Sequence, residues 1–359
     1  MEKEQVLFSD LWLSQEMILA VEKKWYKIPS SIQASVIPIF LNTTKDIIWQ
    51  AQTWTGKTAA FALPILDRLD HDKNWIQAII LTPTRELAIQ ISDEFKSFSD
   101  SRKVKTTLLY GWQHISWELS ALRSWPQIVI WTPWRVQDHL RRKSLKIDTI
   151  DYFVLDEADE MLNIWFREDI DIILESAPKH KRVLLFSATM PKAIKDIIHN
   201  YMWDYEIISV KSDETTNKSI EQKCYKVNEM NKFDALCRVI DVEKDFYGII
   251  FCKTKAWVDE VASNLMSKWY KAEWIHWDVE QKWREKVLNR FKNKKINMLV
   301  ATDVAARWID VNDLTHVVNY DLPDNPETYT HRIWRTGRAG KKWVALSFVS
   351  RRDSRMLIY

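Results

Sequence analysis

Apolar runs of strand length alternate with charge-rich stretches of helical period along most of the chain, the pattern of parallel sheets wrapped by helices. In the first half the strand candidates are Ile47-Ile48, Ile76 to Thr82, Val104 to Leu109, Ile128 to Trp131, Tyr152 to Leu155, Val183 to Phe186 and Glu206 to Val210. The segment Lys211 to Ser219, KSDETTNKS, is polar and aperiodic and reads as a linker. Beyond it the alternation restarts with Tyr247 to Phe251, Ile296 to Val300, His316 to Asn319 and Val344 to Phe348. This spacing predicts an N-terminal domain over 1–210, a linker over 211–219 and a C-terminal domain over 220–359, with a second sheet of the same kind as the first. The helical pattern still running at Tyr359 leaves a C-terminal continuation to be expected.

Length agrees with that division, since 359 residues fit two α/β domains that each bury a core. The charge balance changes the picture more. With 52 Lys and Arg against 49 Asp and Glu, the net charge of +3 is too small for a strongly basic nucleic-acid-binding domain, so any grip on a polyanion must be local. Cys224, Cys237 and Cys252 lack paired metal-ligand spacing and are too few for a disulfide framework, which fits a reducing, cytoplasmic setting. No run approaches the ~18 apolar residues of a membrane span, so a soluble protein without a membrane partner is expected.

The chemistry begins at Ala51-Gln52-Thr53-Trp54-Thr55-Gly56-Lys57-Thr58, which follows an apolar pair and precedes a helical pattern. In a strand–loop–helix context such a loop cradles phosphates on backbone N–H groups, with the lysine neutralising them and the hydroxyl reaching Mg²⁺. Asp156-Glu157-Ala158-Asp159 directly follows the apolar run Tyr152 to Leu155. A carboxylate at the C-terminal end of a strand suits Asp156 to a Mg²⁺ shell and Glu157 to orienting or deprotonating water. Each piece alone also fits an ordinary helix start.

Together with their neighbours these motifs resemble the DEAD-box family of RNA helicases from about Phe8 onward. The series runs Ile32-Gln33 after Pro29-Ser30, then AQTWTGKT, PTRELA at Pro83 to Ala88, TPWR at Thr132 to Arg135, DEAD, SAT at Ser187 to Thr189, ATDVAARWID at Ala301 to Asp310 and HRIWRTGR at His331 to Arg338. The resemblance implies an α/β fold of two tandem RecA-like domains, each a mainly parallel sheet flanked by helices, of the P-loop NTPase, superfamily 2 helicase kind. It implies ATP and Mg²⁺ as ligands and an ATP-dependent RNA helicase acting as a monomer. Gln33 resembles the adenine-selecting carboxamide and Phe8 a stacking face. Lys57, Asp156 and Glu157 take the catalytic roles, Thr58 and Asp156 the metal. Arg335 and Arg338 resemble arginine fingers, which raise phosphoryl-transfer rates by roughly 10³ to 10⁵. Asp159, Ser187, Thr189, Asp303 and His331 resemble coupling residues, and Asp310 lines the ATP cleft. RNA contacts are expected from Pro83, Thr84, Arg85, Gly111, Thr132 and Arg135 in the first domain and Thr254, Arg284 and Thr302 in the second. These groups suit phosphates and 2′-hydroxyls, hence binding without sequence preference. An RNA clamp with little unwinding and a DNA-directed translocase remain the alternatives.

One departure recurs. Trp54, Trp112, Trp134, Trp308 and Trp334 stand where the family has glycine, and Trp25, Trp131 and Trp283 fit the same description. The chain has 20 Trp and only 5 Gly; added together, 25 in 359 is the ordinary glycine share of about 7%. The codon UGA is read as tryptophan in one genetic code and as glycine in another, so a glycine-reading gene translated with the wrong table yields this substitution. A tryptophan-rich protein that stacks bases is the rival expectation.

Overall fold

Strands buried on both faces need apolar residues at every position, and Ala78–Leu81, Ile128–Trp131 and Met298–Ala301 satisfy that with complete burial. The computed structural model describes residues 6–50, 56–99, 104–109, 115–163, 166–209, 220–243, 245–276, 278–306, 311, 314–324, 326–333, 343–350 and 353. The chain divides into two compact units, Met1–Ser212 and Asp213–Tyr359.

In the first unit the strands are β1 (Asp46–Gln50), β2 (Ala78–Leu81), β3 (Thr106–Leu109), β4 (Ile128–Trp131), β5 (Tyr152–Leu155), β6 (Arg182–Ser187) and β7 (Tyr205–Ser209). The helices are α1 (Gln15–Lys23), α2 (Ser31–Asn42), α3 (Lys57–Arg68), α4 (Arg85–Phe98), α5 (Ile115–Arg123), α6 (Pro133–Arg141), α7 (Ala158–Asn163), α8 (Arg167–Ser176) and α9 (Lys192–Tyr201). All strand pairs are parallel, in the order β3-β4-β2-β5-β6-β1-β7. The strand period of two splits the core. Ala78 and Ile80 face a cluster built from α1 to α4, while Ile79 and Leu81 face one built from α6 to α9.

The second unit carries β8 (Ile220–Lys226), α10 (Lys232–Val242), β9 (Gly248–Phe251), α11 (Lys255–Ser267), β10 (Ala272–Ile275), α12 (Gln281–Lys292), β11 (Met298–Ala301), α13 (Asp303–Ala306), β12 (His316–Asn319), α14 (Pro326–Ile333) and β13 (Trp343–Val349). Its sheet is also parallel, ordered β10-β11-β9-β12-β13-β8. Counted within each unit, the first six strands take the same order, 3-4-2-5-6-1, in both sheets. Gly248 is required where β9 passes β12, because a Cβ there would meet the His316 carbonyl oxygen at 2.4 Å.

The expected strands are present, with ends moved by one or two residues. Two strands of the second sheet, β8 and β10, had no candidate in the apolar pattern. Both are edge strands. β8 is exposed over most of its length and needs no continuous apolar run, whereas β10 is largely buried but interrupted by Glu273, which pairs with Arg290.

Tryptophan occupies backbone that favours glycine. Seven non-glycine residues have positive φ among the described residues, and four are Trp12, Trp25, Trp125 and Trp269. At the ends of α1 and α11 the hydrogen bonding is that of a Schellman turn. Trp25 N donates to Glu22 O at 2.8 Å and Tyr26 N to Val21 O at 3.3 Å, while Trp269 N donates to Met266 O at 2.9 Å and Tyr270 N to Leu265 O at 3.1 Å. The left-handed residue of that turn is usually glycine. The indoles project into solvent, Trp25 at 84% and Trp269 at 93% exposure. Trp49 and Trp131 are instead buried, and the indole N–H of each has no hydrogen-bond partner among the described residues.

Candidate active site

In the first unit β5, β6 and β1 are neighbours, so the residues that follow them share one edge of the sheet. From β5 come Asp156 and Glu157, from β6 Ser187 to Thr189, and β1 leads through the phosphate loop to α3. Gly56 opens α3 with φ +88°, where a Cβ would lie 2.5 Å from Gln33 Nε2; only glycine fits there. Lys57 then starts the helix, and its ammonium pairs with Asp156 Oδ1 at 3.2 Å, both side chains buried. Asp156 Oδ1 also accepts from the Glu157 backbone N–H at 3.0 Å. Glu157 itself has φ +53°, a strained conformation for a residue with a side chain and one that concentrates at functional sites.

Gln33 bridges two motifs. Its Oε1 accepts from Ser30 N at 2.9 Å and its Nε2 donates to Gly56 O at 3.1 Å. A carboxamide has two donors and two acceptor sites, so one of each remains, which matches the N7 acceptor and N6 donor of adenine. Asp159 Oδ2 accepts from both Thr189 N and Thr189 Oγ1 at 2.9 Å, and Ser187 Oγ donates to Thr189 O at 2.6 Å. This joins the DEAD and SAT motifs. Burial raises the carboxyl of Glu94 on α4 above the ordinary range; Lys24 and Thr58 pull it back, and Asp156 nearby adds to the rise. Glu94 had no place among the expected site residues, since nothing in the sequence tells a helix glutamate beside the site from a solvated one.

Phe8 requires a correction. Its ring is packed into the core with Leu11, Leu13 and Met17 rather than standing open as a stacking face. It anchors the N-terminal turn instead.

The threonines expected on RNA follow a rule. Thr84 caps α4 after β2, Thr132 caps α6 after β4, Thr254 caps α11 after β9, and Thr302 precedes α13 after β11. Since β2 neighbours β4 and β9 neighbours β11, each sheet brings two such helix N-termini side by side. The Thr84 and Thr254 hydroxyls accept from Leu87 N and Trp257 N at 3.3 and 3.2 Å, and Thr302 Oγ1 accepts from Ala305 N at 3.5 Å. Among the described residues the Thr132 hydroxyl makes no capping bond. Pro83 is buried and Arg85 half-buried beside Thr84.

Two arginines have internal partners rather than open guanidinium groups. Arg135 is 9% exposed and bound to Glu118 and Asp138, with Nη2 2.6 Å from Glu118 Oε2. Arg284 is buried and its Nη2 donates to His276 O at 3.4 Å. A guanidinium already desolvated against a carboxylate gains little by moving to a phosphate, so Arg135 is corrected from RNA contact to structural brace. Asp303 gains an unforeseen partner in Arg332, whose Nε and Nη2 donate to its carboxylate at 2.6 and 2.8 Å and whose Nη1 donates to Asn319 Oδ1 and Asp321 O. Arg332 is the first arginine of HRIWRTGR, so the motif itself held that signal. Ala51, Gln52, Thr53, Trp54, Thr55, Gly111, Asp310, Arg335 and Arg338 lie outside the described residues, as does the side chain of His331.

Residues 30–197 match the family model for the DEAD/DEAH box helicase, and residues 231–340 match that for the helicase conserved C-terminal domain. The chain belongs to the DEAD-box helicase family. A probable ATP-dependent RNA helicase of Methanocaldococcus jannaschii is 48% identical to this helicase over 359 residues, 100% of this chain and 96% of its own. The ATP-dependent RNA helicase CshA of Listeria monocytogenes is 46% identical over 96% of this chain and 66% of its own length. Among solved structures, S. cerevisiae Dbp5 bound to RNA and ADP BeF3 superposes with TM-score 0.87 at 31% identity, covering 98% of this helicase and 91% of Dbp5. Mss116p bound to ssRNA and AMP-PNP gives 0.88 at 28%, covering 100% and 77%. The two parallel sheets of the DEAD-box helicase, each flanked by helices, are its tandem RecA-like domains.

Proposed function

We propose that this DEAD-box helicase binds RNA through paired helix N-termini, without sequence preference, and uses Glu157 to activate water for ATP hydrolysis. The enzyme is an ATP-dependent RNA helicase, an RNA-dependent ATPase that converts ATP and water to ADP and phosphate. The carrying observation is the buried Lys57–Asp156 pair at 3.2 Å, which spans from the start of α3 after β1 to the end of β5, beside Glu157. Each member has a second partner when nucleotide arrives: Lys57 the phosphates, Asp156 a hard cation. Oxygen donors from Asp156 and Thr58 fit Mg²⁺, which when bound neutralises phosphate charge. Glu157 then accepts the proton of the attacking water, and Gln33 holds adenine with its remaining donor and acceptor. The resemblance assigns Arg335 and Arg338 to stabilising charge on the transferred phosphoryl group and His331 and Asp310 to the ATP cleft. Within this reading the first domain, 1–210, carries the nucleotide grip, and 211–219 links it to 220–359.

Replacing Glu157 by Gln is expected to leave ATP binding intact and lower RNA-stimulated turnover by roughly 10² to 10⁴, the worth of a general base. Unchanged turnover removes Glu157 from that role. Stimulation by RNA and not DNA, together with duplex separation, distinguishes the helicase from a translocase; slow RNA release without separation marks a clamp. No helix among the described residues is long and apolar enough to cross a membrane. We place a monomeric enzyme in the cytoplasm, to be checked by sedimentation and cell fractionation.

We also propose that most of the tryptophans are glycines in the protein its own host makes. Left-handed backbone at Trp12, Trp25, Trp125 and Trp269, and the unpartnered indole N–H groups of Trp49 and Trp131, support this. UGA codons at these positions and a host-purified mass matching glycine are expected. UGG codons, or a mass matching tryptophan, overturn it.

A further inference from the structure

Glu118 on α5 is buried, although the mechanism above gives it no task. A lone carboxylate is costly there and must be matched by donors. Arg135 supplies Nε at 2.9 Å and Nη2 at 2.6 Å to Glu118 Oε2, with Nε also 3.2 Å from Oε1. His139, fully buried one helical turn further along α6, places Nε2 2.8 Å from the same Oε2. The cluster continues outward: Arg135 Nη1 donates to Asp138 Oδ2 at 2.9 Å, Arg142 Nε to Asp138 Oδ1 at 2.8 Å, and His139 Nδ1 lies 2.7 Å from Ser144 Oγ. One carboxylate thus ties α5 to two successive turns of α6. Since i and i+4 share a helix face, the two contacts fix both the rotation and the axial position of α6.

The N-terminus of α6 is the one whose threonine makes no capping bond. Pro133 at the first helical position brings no N–H, and the N–H groups of Arg135 and Val136 donate to Thr132 O, so the donor this end of α6 offers a phosphate is the Thr132 hydroxyl. Such neutral donors work only when correctly aimed, so rigidity of α6 is worth affinity. We propose that Glu118 is a positioning residue for RNA, bracing α6 through Arg135 and His139 so that the Thr132 hydroxyl meets an RNA phosphate in fixed orientation. This rests on the reading of Thr132 as an RNA contact.

The test compares Glu118→Gln and Thr132→Ala with the parent protein, using single-stranded RNA. Affinity is measured by fluorescence anisotropy with a non-hydrolysable ATP analogue, and steady-state ATPase rates are measured across RNA concentrations. Glutamine keeps the shape but offers one uncharged acceptor to three donors. The expected result is an RNA Kd and a KM for RNA raised about tenfold, the order lost with one hydrogen bond to a charged group, with kcat at saturating RNA and KM for ATP kept. If kcat falls in step with thermal stability while KM for RNA stays put, Glu118 is merely structural and the proposal fails. If Glu118→Gln does not fold, the pair Glu118→Gln with Arg135→Gln, which leaves no buried charge unmatched by Glu118, is measured instead; an unchanged KM for RNA overturns the proposal there too. A normal Glu118→Gln beside a weakened Thr132→Ala defeats the brace alone. A normal Thr132→Ala defeats the RNA reading of α6, and the brace with it.

Discussion

Asp46 shows how a single side chain sets a pH dependence away from the chemistry. Burial lifts its carboxyl to about 6, against the Val183 N–H bond at 2.6 Å and the nearby Arg182 that favour the charged form. The folded state therefore holds a proton that the unfolded chain, titrating near 3.8, has released. A folded pKa raised in this way makes stability fall as pH rises through the window from about 4 to 6, by at most ~1.4 kcal/mol for each pH step of one. Asp46→Asn keeps a carbonyl for Val183 and removes the buried charge. Melting temperature should rise for this variant at about pH 7.5 and by roughly half as much at about pH 5; an equal gain at both pH values would show that the charge is not the cause. Cysteine reactivity gives a second residue-scale check. Burial pushes the Cys252 thiol well up, and Cys237 is raised by the same cause, whereas Cys224 is exposed. A thiol reagent is expected to label Cys224 rapidly and the other two only on unfolding.

At the scale of the element, helix C-termini decide whether tryptophan belongs in this chain. An L-residue pays about 1–2 kcal/mol in left-handed backbone, and glycine does not. Trp25→Gly and Trp269→Gly should each stabilise the protein by about 1 kcal/mol in denaturant titrations, with little change in slope; destabilisation would mean that the exposed indoles pack on something. The same elements show what the sequence discloses. β2, β4, β5 and β11 were visible because burial on both faces demands apolar residues throughout, and Lys57, Asp156, Asp159 and Thr189 because their motifs spell the chemistry. β8 escaped because an exposed edge strand obeys no such demand, and β10 because the buried Glu273 interrupts its apolar run. Arg135 and Phe8 were misplaced for a related reason: a motif names a residue type, and only packing says whether its side chain turns toward a ligand or inward. Glu118 could not be told from the charged positions of any surface helix until its donors were in view.

For the whole molecule the question is how a chain of net charge +3 holds a polyanion. The sheets answer by repetition: the order 3-4-2-5-6-1 occurs in each unit and places a pair of helix N-termini after neighbouring strands in each. With Arg135 engaged by Glu118 and Arg284 turned to the interior, much of the proposed grip falls to hydroxyl and backbone N–H donors. Such donors hold phosphates without releasing as many counterions as lysine or arginine would. For single strands log K falls with log salt at about −0.7 per neutralised phosphate, so a grip built from neutral donors predicts a slope shallower than about −2. Anisotropy titrations of single-stranded RNA across a series of KCl concentrations measure it directly. A steep slope would mean that lysine and arginine side chains dominate the contact, and basic runs such as Arg141-Arg142-Lys143 or Lys292 to Lys295 would then be the surface to neutralise next.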